Sequence, residues 1–195
     1  MTTTRDAFLA KIRAAQPAGR PRPDVPLFDT PAGARLERFR AALAAMGGTV
    51  VEGESLESVR ALLHERFGAH AIVASAVPGI EGNRALTADT SPASLQDVDA
   101  GVVRARFGVA ETGSVWFSEH EYIVNSIGYL VQHLVVLLDP EQIVDGLQDV
   151  YRRDDFNAAR YAVLVTGPSA TADIEGVLIR GAQGVRSLTV VLLAG

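Results

Sequence analysis

Two stretches of this chain place reactive groups where an apolar pattern should continue. The first is FGVAETGSVWFSE, residues 107–119, in which Glu111, Thr112, Gly113 and Ser114 interrupt two apolar runs. A carboxylate in such a turn can serve as acid, base or nucleophile. The Thr112 and Ser114 hydroxyls can hold an anion, and Gly113 would let a ligand approach the backbone. The second stretch runs Thr166-Gly167-Pro168-Ser169-Ala170-Thr171-Ala172-Asp173-Ile174-Glu175, directly after the apolar YAVLV. Gly167 and Pro168 set a turn, and Ser169 or Thr171 can cap a helix. Such a helix start offers free N–H groups to an anion. Asp173 and Glu175, if they converge with Glu111, add acid–base groups, and Arg186 is a candidate counter-charge for a carboxylate. Plainer accounts also exist. Ser-x-Thr-x-Asp is a common capping pattern, and Glu111 fits a solvated turn.

Other chemistries find less support. The chain has no cysteine, so it offers no thiolate for catalysis or for an iron–sulfur cluster. His64, His70, His120 and His133 show no pair at metal-ligand spacing, and no metal site is expected. His133 opens an apolar strand and reads as a core histidine. Gly108-x-x-x-x-Gly113-Ser114 lacks the lysine of a phosphate loop. A net charge of −5, with Lys11 the only lysine, argues against nucleic acid as a partner. No apolar run is long enough to span a bilayer, and MTTTRDAFLAKIRAAQ lacks the apolar region of a signal peptide. A cytoplasmic location is expected.

The elements that must position these groups follow from periodicity. Residues 1–30 divide into an amphipathic helix with Phe8, Leu9 and Ile12 on one face, and a proline-rich stretch that should be extended. That helical face has no core of its own, which suits docking on a second copy of the chain. Residues 31–195 form the main domain. Leu36, Phe39, Leu43 and Met46 have helical spacing that stops at Gly47-Gly48. TVVEG reads as a strand, Ser55 caps a helix through Phe67, and HAIVAS, HLVVLLD, YAVLVTG and SLTVVLL read as further strands. Asp139-Pro140-Glu141-Gln142 has the form of a helix start, predicting a helix with Ile143, Val144, Leu147, Val150 and Tyr151 on one face. A second helix is predicted after Gly167. Apolar strands alternating with helices indicate an α/β fold with a largely parallel sheet covered on both faces. Ligands of such sheets bind outside the carboxyl ends of the strands.

RFGVAETGSVWF, followed by GPSATADIEGVLIRGAQGVRSLTVVLL, resembles the LUD-domain family, of the lactate utilization protein C type. The resemblance implies a Rossmann-like layered fold of the sugar-phosphate isomerase and CoA-transferase superfamily. It implies a part in oxidation of L-lactate to pyruvate, beside partner proteins that carry the iron–sulfur clusters, with no cofactor held by this chain. Its characteristic residues fall on Glu111, Thr112, Gly113, Gly167, Pro168, Ser169, Thr171, Asp173, Glu175 and Gly181. Where the family has Gly-x-His-Gly-Pro, this chain has Gly181-Ala182-Gln183-Gly184-Val185, and Gln183 can bind a substrate but cannot act as acid or base. Two functions are expected from these readings: a subunit binding a small anionic metabolite or its partners, or a stand-alone enzyme on a phosphosugar or acyl-CoA that uses Glu111.

Overall fold

The computed structural model describes residues 4–17, 19, 21, 23–28, 34–172 and 176–195. In chain order its elements are α1 (Thr4–Ala14), α2 (Arg35–Ala45), β1 (Thr49–Glu52), α3 (Leu56–Phe67), β2 (Val73–Ser75), β3 (Ala100–Arg104), β4 (Phe107–Val109), β5 (Ser114–Ser118), α4 (Glu119–Tyr122), α5 (Ile127–Leu130), β6 (His133–Leu138), β7 (Ile143–Val144), α6 (Leu147–Arg152), α7 (Asp154–Ala158), β8 (Ala162–Val165), β9 (Ala170–Thr171), β10 (Ile179–Arg180) and β11 (Ser187–Leu192). The class is α/β, as expected.

Five strands form a parallel sheet in the order β1-β11-β6-β3-β2. Its two central strands are aliphatic on both faces, because both faces are covered. One face packs Val102, Val135, Leu137 and Val191 against Val59 and Leu63 of α3. That helix begins at Ser55, whose hydroxyl accepts the Ser58 N–H at 3.2 Å while the Ser58 hydroxyl accepts the Ser55 N–H. The other face packs Val103, Leu134, Val136 and Val190 against Val115 and Phe117 of a second sheet, with Phe39 and Leu43 of α2 in the same core.

The second sheet, in the order β7-β4-β5-β8, is mixed. β4 and β5 are antiparallel around the 110–113 turn, with Phe107 opposite Trp116 and Val109 opposite Ser114. Its outer face stacks Phe107 on Trp116, with ring centroids 5.1 Å apart, beneath Val150 of α6. The molecule is therefore layered as helix, parallel sheet, core, second sheet and helices.

Three expectations change. YAVLVTG is a strand, but β8 pairs antiparallel to β5 in the second sheet and is only partly buried. The helix expected from Asp139 is a single 3-10 turn at Pro140–Gln142. Asp139 does cap it, accepting the Glu141 N–H at 3.0 Å, but Ile143-Val144 then pairs with Gly108-Val109 as β7. A helix resumes only at Leu147. The helix expected after Gly167 is likewise replaced, by β9 pairing antiparallel with β10. Thr171 lies opposite Ile179 and caps nothing among the described residues.

α1 forms where the periodicity placed it and buries none of its residues. None of the described residues between 17 and 28 is helix or strand.

Candidate functional site

The parallel sheet and the second sheet part at one peptide. Ala105 N–H donates to Leu137 O of the parallel sheet at 2.8 Å, whereas Arg106 N–H donates to Trp116 O of the second sheet at 3.1 Å. The fork opens a cleft of about 550 Å³ at the carboxyl ends of β2, β3 and β6, the usual ligand position in such sheets. Arg104, Arg106, His120, Glu121, Asp139 and Gln142 are on its walls. A smaller recess of about 170 Å³ adjoins it, sharing Arg106, His120 and Glu121 and reaching Trp116 and Asp155.

The charged groups differ in how far they are already occupied. Glu121 accepts the Ser118 N–H at 2.7 Å and the Ser118 hydroxyl at 2.6 Å, closing the cap of α4. Asp155 is held by Arg106 Nε at 2.8 Å and Arg153 Nε at 2.9 Å. Burial works to raise the Asp155 carboxyl, and the two arginines overcome it, so the group lies below the usual carboxylate range. The side chain of Arg104, half-buried at the last position of β3, has no hydrogen bond or ion pair among the described residues.

Sequence reasoning missed this cleft. Its signal is Arg104-Ala105-Arg106, two guanidinium groups two residues apart at the exit of a buried strand, so that both point to one side of an extended chain.

The motif residues gather elsewhere, at the far end of the β4–β5 hairpin. The three residues of β4, Phe107–Val109, separate them from the fork, roughly 10 Å of strand. The Thr112 and Ser114 hydroxyls are 2.6 Å apart, and Ser114 is 2.5 Å from the Thr166 hydroxyl, a chain that ties the first turn to the start of the second loop. The two loops thus meet, but through antiparallel pairing of β5 with β8 and not as exits of one parallel sheet. Ser114 is only 3% exposed, so its hydroxyl faces protein.

Gly113 and Gly167 give their space to α2, not to an open ligand face. Both have left-handed backbones, φ +67° and +68°. A Cβ on Gly113 would lie 2.6 Å from Leu43 Cα, and one on Gly167 would lie 2.5 Å from Met46 O. Pro168 is buried beside them. Ser169 organises the next turn. Its N–H donates to Val185 O, its hydroxyl donates to Gln183 O at 2.7 Å, and its carbonyl accepts the Gly181 N–H. The Gly181–Val185 segment is therefore held to the second loop by backbone atoms. Arg186 is exposed, and its N–H donates to Gln132 O. Asp173 and Glu175 lie outside the described residues.

Glu111 faces away from both loops. Its Oε2 accepts the Leu147 N–H at 2.9 Å, at the start of α6. Glu111→Ala is therefore expected to cost about 1 kcal/mol, the usual loss for a helix-terminal acceptor. Urea denaturation checks this, and an unchanged midpoint would refute the contact. His133, expected in the core, is only partly buried at the start of β6, with Nδ1 2.8 Å from the Ser187 hydroxyl. Burial, together with Arg66 and Arg186, holds it below the ordinary histidine range. Among the described residues no cluster of three or more His, Asp or Glu is placed to hold a metal, and no helix is long and apolar enough to cross a membrane.

Comparison with known proteins adds three findings. No curated protein matches the sequence. The fold is similar to the crystal structure of a DUF162 family protein from Deinococcus radiodurans, with a TM-score of 0.61 over 83% of this chain and 96% of that one, at 16% identity. At that identity the likeness speaks for the fold alone. The LUD domain model matches residues 88–193, a span that takes in both motifs and both arginines of the fork. That match covers more than half of the 195 residues, and the chain belongs to the LUD domain family.

Proposed function

We propose that this protein is a subunit of an L-lactate utilization system, of the lactate utilization protein C type, and that its own task is to bind a small organic anion in the fork cleft. The process is supported by the family, since LUD domains are associated with lactate utilization proteins. The binding is carried by one observation: Arg104, half-buried at the carboxyl end of β3, with no acceptor among the described residues. A guanidinium on a cleft wall with no carboxylate partner is a ready receptor for a carboxylate or phosphate, which it can hold through two parallel N–H···O bonds.

On this reading the electrons pass through iron–sulfur partner proteins, because this chain has no cysteine to ligate a cluster. Residues 1–30 serve as an arm that seats on a second copy, and residues 31–195 as the binding domain. Glu111, Thr112, Gly113, Ser114 and the 167–171 loop serve the fold, seating α2 and the start of α6 on the second sheet. The alternative, a stand-alone enzyme using Glu111, loses ground because that carboxylate is taken up by the Leu147 amide.

Arg104→Met keeps the length of the side chain and removes its donors. Titration of the wild-type protein with a panel of organic anions, followed by backbone amide shifts, is expected to move the signals of Arg104, Arg106 and His120. In Arg104→Met the affinity should fall about 10- to 100-fold, the range for charge-assisted hydrogen bonds worth ~1.5–3 kcal/mol, and lactate-dependent growth should fail. Binding at full strength by the variant would overturn the reading.

A further inference from the structure

We infer that the anion bound in the fork cleft carries two acidic groups, one held by Arg104 and the other by Arg106. This inference rests on the cleft being an anion site, as proposed above.

Size is the first argument. A cleft of about 550 Å³ lies in the range of sites that enclose ligands far larger than a three-carbon acid. A monoacid seated on Arg104 would leave the Arg106 side of the cleft, and the adjoining recess, unused.

The second argument is the state of Arg106. Its Nε–H is anchored on Asp155 Oδ1 at 2.8 Å, which fixes the side chain along the seam between the cleft and the recess. Its two terminal nitrogens make no hydrogen bond among the described residues. Glu121 Oε1 is 3.7 Å from Nη1, an ion pair without a hydrogen bond. Arg106 thus presents an oriented pair of N–H donors to the same cleft as Arg104, a fork that matches a planar or tetrahedral acid group.

The acidic residues nearby each have a donor other than Arg106. Asp155 has a second arginine, Arg153, with Nε at 2.9 Å and Nη2 at 2.8 Å, and Arg153 is itself seated 4.4 Å over the Phe107 ring. Glu121 is held by Ser118 and Asp139 by the Glu141 amide. Each carboxylate keeps a partner if Arg106 turns its free fork toward a ligand. Arg104 and Arg106, separated only by Ala105, are then two recognition points for the two ends of one molecule. That chemistry is met by a dicarboxylate or by a phosphorylated carboxylic acid.

The test uses the full chain and calorimetric titration with L-lactate and pyruvate as monoacids, succinate and L-malate as dicarboxylates, and 3-phosphoglycerate as a phosphorylated acid. Diacids should bind the wild-type protein at least tenfold more tightly than monoacids. A preference for 3-phosphoglycerate would identify the second group as a phosphate, and a preference for succinate or malate as a carboxylate. Arg106→Met should bring diacid affinity down to the monoacid level, a loss at least tenfold for diacids and several-fold smaller for monoacids. Arg106→Lys keeps the charge and loses the fork, and should fall between. Because Arg153 still pairs with Asp155, these variants should keep the wild-type circular dichroism. Equal wild-type affinity for monoacids and diacids, or an equal loss for both in Arg106→Met, would overturn the two-point inference while Arg104→Met still marked an anion site. If Arg104→Met changed neither class, the cleft reading itself would fall.

Discussion

Gly113→Ala is expected to destabilise the protein by about 4 kcal/mol or more, enough to leave much of it unfolded. Two costs combine. The backbone there is left-handed, φ +67°, which a side chain adopts at a cost of about 1–2 kcal/mol. The added methyl also lies 2.6 Å from Leu43 Cα and 2.7 Å from Ala42 C, both backbone atoms of α2, so the helix must move. Moving it disturbs Phe39 and Leu43, which are fully buried between the two sheets. Gly68→Ala is the control. Gly68, at the end of α3, also has a positive φ, +80° with ψ 170°, a backbone region essentially reserved for glycine, but no heavy atom lies within 4 Å of a Cβ there. It should show a conformational cost alone, about 1–3 kcal/mol. Urea denaturation of the two variants separates the terms. A Gly113→Ala cost no greater than that of Gly68→Ala would show that α2 is not seated on the turn.

The second large effect is expected at Asp145. This residue lies between β7 and α6 and pairs with Arg35 at 2.7 Å and with Arg38. Arg35 is half-exposed and its pair is worth little. Arg38 is different, since only 15% of its side chain is exposed and its Nε and Nη1 are buried with no hydrogen-bond partner among the described residues. Asp145→Ala removes its one anionic contact among the described residues and leaves a nearly buried charge uncompensated. The expected cost is about 2–3 kcal/mol, somewhat below the usual loss for a buried pair because Asp145 retains 25% exposure. Adding Arg38→Met should recover most of it, because the orphaned charge goes as well. A double variant as unstable as Asp145→Ala would refute the account.

The same pair sets a pH dependence. The hydrogen bond from Arg35, then that from Arg38, hold the Asp145 carboxyl below the usual aspartate range against the opposing effect of burial. Its contribution is complete at pH values above the unfolded pKa of about 3.9 and is lost as pH falls through the lower folded pKa. The wild-type protein should therefore lose stability below about pH 4 more steeply than Asp145→Ala does. Parallel acid-unfolding profiles would contradict this.

Local sequence determined the elements whose signals lie within a few residues of one another. The run of aliphatics in β6, the Ser55 capping box of α3 and the helical spacing of α2 each have a local cause, and each element formed where its signal placed it. The β4–β5 turn was legible for the same reason, because two apolar segments flank four turn residues. Local signals misled where a distant strand offered a better set of hydrogen bonds. Asp139 and Pro140 begin a helical turn, yet β-branched Ile143 and Val144 complete the edge of the second sheet beside Gly108 and Val109. The capping pattern at Ser169 and Thr171 was overridden when Ser169 bonded the 181–185 turn and Thr171 paired with Ile179.

The site depended on tertiary structure for a further reason. A glycine in a sequence marks a close approach without saying what approaches, and at Gly113 and Gly167 the neighbour is α2, from 65 or more residues earlier in the chain. The cleft exists because Ala105 bonds to one sheet and Arg106 to the other. Composition and spacing supplied the two arginines. Only the parting of the two sheets at the peptide between Ala105 and Arg106 opened a cleft in front of them, with Arg106 anchored by an aspartate 49 residues away and Arg104 with no acceptor among the described residues.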